Sequence, residues 1–208
     1  MLSVMGNGES SEIATIGNEG LIGISLFLGT ESTPSRAIVQ SSGLAYRLRA
    51  SDVMKEFNRG GEFQRLLLRF TQGLMAQIIQ TAACNHHHNI DQQFCRWLLL
   101  TLDCVPSNEI IMTQEMLAHM QGIRRQGITN AATDLQASGI IHYKRGKITV
   151  LNRRKLEQRA CECYGVIKRE SDRLVLMGKA KVRQASERVA SDRRGKDRRD
   201  VKPVASRR

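Results

Sequence analysis

Two arginines stand side by side at Arg124-Arg125 in the stretch GIRRQGIT, residues 122 to 129. A guanidinium is planar, permanently charged and carries a fork of donors that fits a phosphate or the O6/N7 edge of guanine. Gln126 follows, and Asn130 lies four residues after Gln126 and five after Arg125, so on a helix the three share one exposed face. Their carboxamides can pair with the N6/N7 edge of adenine. Two cations in the first turn of a helix oppose its dipole, and an anionic partner would balance them. One arginine then reads a base while its neighbour anchors a phosphate; the plainer reading is a solvated charged face.

Those side chains need a scaffold, and the flanking sequence describes one. Thr113 is suited to cap a helix running from about Gln114 to Met120, with Glu115 in its first turn. Leu117 and Met120 face inward, Ala118 is small enough for another helix to approach, and Gly122 sits where the chain must turn sharply. Ile123 fills the corner. A second helix from about Arg124 to Ala137 would bury Ile128, Ala131, Ala132 and Leu135. The spacing of Ala118, Gly122 and Ile128 is that of a helix-turn-helix, whose second helix enters a DNA major groove. Gly139 ends that helix, and IIHYKRGKITVL reads as two strands joined at Lys144-Arg145-Gly146. This basic hairpin makes the motif a winged one, with Lys144, Arg145 and Lys147 placed along a phosphate backbone.

Other residues capable of chemistry lead less far. His86, His87 and His88 are consecutive, but neighbours on a helix point about 100° apart and cannot converge on one ion without a loop and further ligands. Cys84 and Cys95 could help; a polar hinge is the preferred reading. The five cysteines (84, 95, 104, 161 and 163) are odd in number and lack CxxC pairing, so neither disulfides nor a structural zinc site is expected. Cys161 and Cys163, two apart on an expected helix, should point to different faces. No phosphate-binding loop, HExxH, GxSxG or paired acidic set occurs, and no catalytic residue, metal or cofactor is assigned.

The remaining chain divides by composition. Hydrophobic residues make up 41% and aromatics 4%, which favours an aliphatic, helix-built core. The net charge of +12 is uneven: residues 179 to 208 carry twelve Lys/Arg against four Asp/Glu, leaving +4 for the rest. That tail is expected to be disordered, either solubilising or in sequence-blind contact with phosphates. No apolar run suits a membrane span and no leader pattern opens the chain, so a cytoplasmic location is expected. Residues 11 to 50 read as short strands in SEIATIG, RAIVQ and LAYRLRA. Phe63, Leu66, Leu67, Phe70, Leu74, Ile78 and Thr81 then recur at helical spacing, as a seam for a second helix or a face packed on the chain's own β unit. IDQQFCRWLLLTLD is a further helix, with Phe94, Trp97, Leu98 and Leu102 on one face, and RRKLEQRACECYGVIKRESDRL a terminal one carrying Leu156, Ala160, Cys163, Tyr164 and Ile167.

A β unit, a long helix, IDQQFCRWLLLTLD, MTQEMLAHMQGIRRQGIT and the wing HYKRGKITVL, in that succession, resemble the Crp/Fnr-type transcription regulators over about residues 9 to 170. The resemblance implies an α+β chain with an N-terminal β-roll of the cyclic-nucleotide-binding type, a long dimerisation helix and a C-terminal winged helix-turn-helix. Its divisions fall at 1–58 (an incomplete roll), 59–86 (helix and hinge), 87–155 (DNA-binding domain), 156–178 (terminal helix) and 179–208 (tail). It further implies a homodimer joined through Phe63, Leu67, Phe70, Leu74 and Ile78. Base reading falls to Arg125, Gln126 and Asn130, backbone contact to Thr113 and Arg124, and RNA polymerase becomes a potential partner. The order Ser35-Arg36-Ala37 departs from the family's phosphate-gripping pair, which speaks against a cyclic nucleotide, and the family's N-terminal iron–sulfur cysteines have no counterpart. The expectation is therefore a non-enzymatic, sequence-specific DNA-binding regulator. An interaction module without DNA binding and a nucleic-acid-processing enzyme are the alternatives.

Overall fold

The computed structural model describes residues 1–174. Met1–Ser171 form one compact unit, and a second begins at Asp172. Three short strands, β1 (Leu2–Val4), β2 (Ser10–Glu12) and β3 (Ser35–Arg36), form an antiparallel sheet in the order β2-β1-β3. Helices α1 (Ala50–Asn58), α2 (Glu62–His87) and α3 (Ile90–Asp103) follow. The rest of the unit comprises β4 (Glu109–Ile111), α4 (Gln114–Gln121), α5 (Arg125–Ala137), β5 (Ile141–Lys144), β6 (Lys147–Val150) and α6 (Arg153–Arg159). A last helix, α7, starts at residue 162. Mixed helices with two small antiparallel sheets agree with the expected α+β class.

The core is assembled around α3. Its sequence is apolar on nearly every side, so it is buried all round rather than along the single expected face: Phe94, Cys95, Trp97, Leu98, Leu99, Leu100 and Leu102 are all enclosed. Asn89 starts it with a capping box, its side chain accepting from the Gln92 N–H while Gln92 accepts from the Asn89 N–H. Helices α5 and α6 pack on it. The N-terminal sheet is tied to the same core by Glu12, which is buried and accepts from the Trp97 indole (3.1 Å), the Gln40 amide (2.8 Å) and the Thr15 hydroxyl (2.6 Å). Three donors on one carboxylate offset the cost of burying its charge.

Three expectations change. Of the expected N-terminal strands only the ends are found: Ser10–Glu12 overlaps the start of SEIATIG and Ser35–Arg36 reaches only the first residue of RAIVQ; residues 37 to 49 are without regular structure and leave Val39, Leu44 and Tyr46 exposed. Their β-branched and aromatic composition finds no neighbouring strand, and β-propensity has little force without one. Helix α1 is an addition to the elements expected from the sequence.

Second, the stripe on α2 turns inward. Leu67 and Leu74 are buried within the chain itself, and Gln77 and Phe70 lie against the Thr15 backbone and Gly20. The reading as packing on the chain's own N-terminal unit therefore fits these residues, and Leu67 and Leu74 are not free to meet a second molecule. The large exposed apolar residues of α2 are Leu66, from the stripe, and Leu68, Met75 and Ile79, which lie off it.

Third, the single terminal helix is two. Ala160 is extended (φ −69°, ψ 152°), so the chain bends between α6 and α7, and Cys161 falls at the bend rather than within a helix. Arg153 spans the corner, donating to Asp103 Oδ1 (2.6 Å) and to the Tyr164 hydroxyl (2.7 Å). Burial and Asp103 push the Tyr164 phenol up to about 12. The basic tail lies outside the described residues.

Candidate nucleic-acid interface

Thr113 caps α4 as the sequence predicts: its hydroxyl accepts from the Met116 N–H at 3.2 Å. Leu117, Ala118 and Met120 are buried. Gly122 ends the helix at φ +63°, in the left-handed region that a residue with a Cβ adopts only under strain, and the chain reverses there into α5. Ile123 packs against the core at the corner. Ile128, Ala131, Ala132 and Leu135 form the buried side of α5, all four as expected from spacing. Gly127 faces the start of α3, where a Cβ would lie 2.9 Å from the tip of the Ile90 side chain, so glycine lets the two helices approach closely there.

Opposite that buried side, Arg124, Arg125, Gln126 and Asn130 are exposed together. Arg124 is the N-cap residue and makes no capping bond with its side chain, and the first turn of α5 holds no acidic residue. Backbone N–H groups, two guanidiniums and the positive end of the helix dipole thus accumulate at one end of α5. Gln126 Nε2 donates to Asn130 Oδ1 at 3.1 Å, which aligns the two carboxamides side by side. Thr129 donates to Gln114 Oε1 (3.1 Å) and links α5 to α4, while the exposed Thr133 hydroxyl returns to the Thr129 carbonyl. Sequence reasoning misses Gln114, Thr129 and Thr133. The i, i+4 spacing of Thr129 and Thr133 on α5 is the available signal, and Gln114 at the start of α4 has none.

The wing is a two-residue hairpin: Lys144 pairs with Lys147 and the tip is Arg145-Gly146, both at positive φ (51° and 76°). Positive φ at both central positions is the geometry of a type I′ turn, whose twist matches the strands it joins. Lys144, Arg145 and Lys147 are exposed. The sheet has a third strand that the sequence did not reveal: β4, from ahead of the helix-turn-helix, pairs with β6 on the side away from β5. It brings Glu109 to Lys147 (2.8 Å), so that one wing cation is already paired. Met112, at the end of β4, accepts from the Tyr143 hydroxyl through its carbonyl at 2.9 Å and fixes the wing beside the start of α4.

A second group of side chains capable of chemistry is brought together by the packing. Cys84 and His88 at the end of α2 meet Cys161 and Cys163 at the α6–α7 bend, with all four ligand atoms within 4.8 Å of one another. Cysteines that look scattered in the sequence therefore converge in space. Cys84 Sγ and Cys161 Sγ are 3.4 Å apart, and Cys163 Sγ is 3.5 Å from His88 Nδ1. The hydrogen bond shared by Cys84 and Cys161 pulls the Cys161 thiol below its ordinary range and raises Cys84, whereas burial pushes Cys95 up to about 12. Near β3, a hollow of about 70 Å³ lined by Ile24, Ser25, Ser35 and Arg36 occupies the region of the Ser35-Arg36 pair. This is much smaller than the roughly 300 Å³ at which small-molecule sites begin.

A helix–turn–helix with an uncapped, doubly basic second helix and a basic type I′ wing defines a winged helix-turn-helix domain. The match to known proteins is to the same class: residues 92–159 fit the family model of the Crp-like helix-turn-helix domain. Solved structures share the fold. A transcriptional regulator of the Crp/Fnr family from Eubacterium rectale aligns at 15% identity over 76% of this chain and 74% of its own, with a TM-score of 0.55. A further Crp/Fnr-family regulator, TTHA1359 from Thermus thermophilus, aligns at 16% identity over 76% and 81%, with a TM-score of 0.54. FixK2 from Bradyrhizobium japonicum aligns at 15% identity over 55% of this chain, with a TM-score of 0.49, and only 60% of its own length is spanned. No curated protein sequence matches the chain. Residues 92–159 thus carry a Crp-like helix-turn-helix domain, as the resemblance implied, and over about three quarters of the chain the fold is like that of the Eubacterium rectale and Thermus thermophilus regulators.

Proposed function

We propose that this protein is a cytoplasmic, non-enzymatic transcription regulator that binds DNA as a homodimer and reads a near-palindromic site through α5. The observation that carries the reading is the exposed end of α5, where Arg124, Arg125, Gln126 and Asn130 stand together with no acid in the first turn. Arg125, Gln126 and Asn130 reach base edges in the major groove, the arginine toward guanine and the aligned carboxamides toward adenine. Arg124 and Thr113 hold phosphates beside the first turns of the two helices, and Lys144, Arg145 and Lys147 hold the backbone at the wing. Lys147 is the weaker of the wing contacts, because Glu109 competes for it.

Two copies associate along α2, through a face different from the expected Phe63 stripe. Leu68, Gln72, Met75, Ile79, Ala82 and His86 are all exposed and follow one another at steps of four, three, four, three and four residues. That is the heptad spacing that keeps one seam turned toward a partner helix. Pairing there places two α5 helices in successive major grooves about 34 Å apart. Among the described residues no helix is long and apolar enough to cross a membrane, in keeping with this assignment. Selection of bound duplexes from a random pool tests it: enriched sequences with two inverted half-sites about one turn apart are expected. Retention of all duplexes alike, at moderate salt, would overturn it.

A further inference from the structure

We infer that Cys84, His88, Cys161 and Cys163 form a mononuclear site for a zinc-class divalent ion that clamps the end of α2 to the bend between α6 and α7. Three thiolates and one imidazole form a usual ligand set for structural zinc, which bonds sulfur at about 2.3 Å and nitrogen at about 2.0 Å in a tetrahedron. In such a tetrahedron the ligand atoms stand about 3.7 Å apart. The 3.4 Å between Cys84 and Cys161 and the 3.5 Å between Cys163 and His88 lie close to that separation, and no pair of ligand atoms exceeds 4.8 Å.

The surroundings also suit a metal. His88 turns Nδ1 to the sulfur group, and its Nε2 lies 3.3 Å from Glu162 Oε1, the carboxylate backing that orients a metal-bound imidazole. Gln80 donates an amide N–H to Cys163 Sγ at 3.1 Å. The three cysteines form a buried cluster of their own, apart from the apolar core. A distinct observation points to the charge of the occupant. Arg96 is 4% exposed; its guanidinium donates to the Thr81 hydroxyl at 3.1 Å, Nε has no partner, and no carboxylate lies within ion-pair distance of it among the described residues. A buried cation calls for an anion nearby. Three thiolates around a dication carry one net negative charge, which would balance it.

Two ligands come from the long helix and two from the corner that follows the wing, so occupancy fixes one against the other. On the reading of α2 as the pairing helix and α5 as the DNA reader, the ion then also sets how two readers are spaced.

The test starts with the full chain, purified under reducing conditions without chelator, and elemental analysis. About one zinc per chain is expected. Cobalt(II) added to chelator-stripped protein should give the visible bands of a tetrahedral ion and a thiolate charge-transfer band. Cys163→Ser should lose those bands, Glu162→Gln should weaken metal affinity by about tenfold, and Cys104→Ser should leave both unchanged. Because a serine variant can misfold, the cobalt spectrum and the zinc-induced rise in melting temperature of the unmodified chain stand as independent readouts. A chain that keeps no metal and gives no tetrahedral cobalt spectrum overturns the proposal. So does acid-labile sulfide, which indicates an iron–sulfur cluster, or a Cys84–Cys161 disulfide in place of the ion. None of these readouts involves DNA, so their failure is distinguishable from failure of the DNA-binding reading, which the duplex selection tests alone.

Discussion

The face around Arg125 and the cluster around Cys161 lie on one compact unit, yet they are assembled by opposite routes. The first comes from a single stretch of about thirty-five residues whose local geometry, two helices and a hairpin, leaves its donors exposed at the surface. The second joins residues 77 positions apart in the chain and turns its donors inward to one another. A surface of the first kind can change one side chain and keep its fold. A centre of the second kind depends on the packing that brings its parts together.

Substitutions can break or sharpen this contrast. The largest effect is expected beneath the reading face: Ile128→Ala, at a fully buried position, should lower unfolding free energy by about 2 to 5 kcal/mol in a denaturant titration. A loss below about 1 kcal/mol would mean that α5 is not anchored as described. On the face itself, Arg125→Ala should cost about 1 to 3 kcal/mol on the preferred duplex and relax the preference at one base position, with little change in melting temperature. Lys144→Ala should instead weaken every duplex similarly and reduce the slope of log affinity against log salt by about one. Equal losses on every sequence from both variants would remove base reading from Arg125.

Ile79→Glu should convert dimer to monomer in sedimentation, whereas Leu74→Ala, on the buried side of the same helix, should chiefly lower the melting temperature. A reversal of these two outcomes would restore the stripe expected from the sequence. The smallest effect belongs to the helix start. Thr113→Ala removes the capping acceptor of α4 and should cost about 0.5 to 2 kcal/mol, measured by thermal unfolding.

How far the sequence could be read follows the same division. Helices α4 and α5, the Gly122 corner and the hairpin were legible because each is specified by neighbours: Thr113 as a cap, Gly122 at a positive φ, apolar residues at helical steps. Strand β4 was not, since three residues become a strand only by pairing with β6, nearly forty positions on. The inward turn of the α2 stripe was open in the sequence, because Leu67 and Leu68 are adjacent and equally apolar; only the presence of Thr15 and Gly20 against one side distinguishes them. The cluster was hidden for a related reason. Cys161 and Cys163 look divergent if α6 continues, and they converge because the chain is extended at Ala160.

The wing tip carries a conflict between folding and charge. Arg145 is the sole residue other than glycine at positive φ among the described residues, in a conformation that glycine would occupy at no steric cost. Arg145→Gly should therefore firm the hairpin while stripping a cation from its apex. On the proposed reading of the wing as a contact with a phosphate backbone, the arginine at this turn gives up some ease of folding for a charge held at the outermost point of the hairpin.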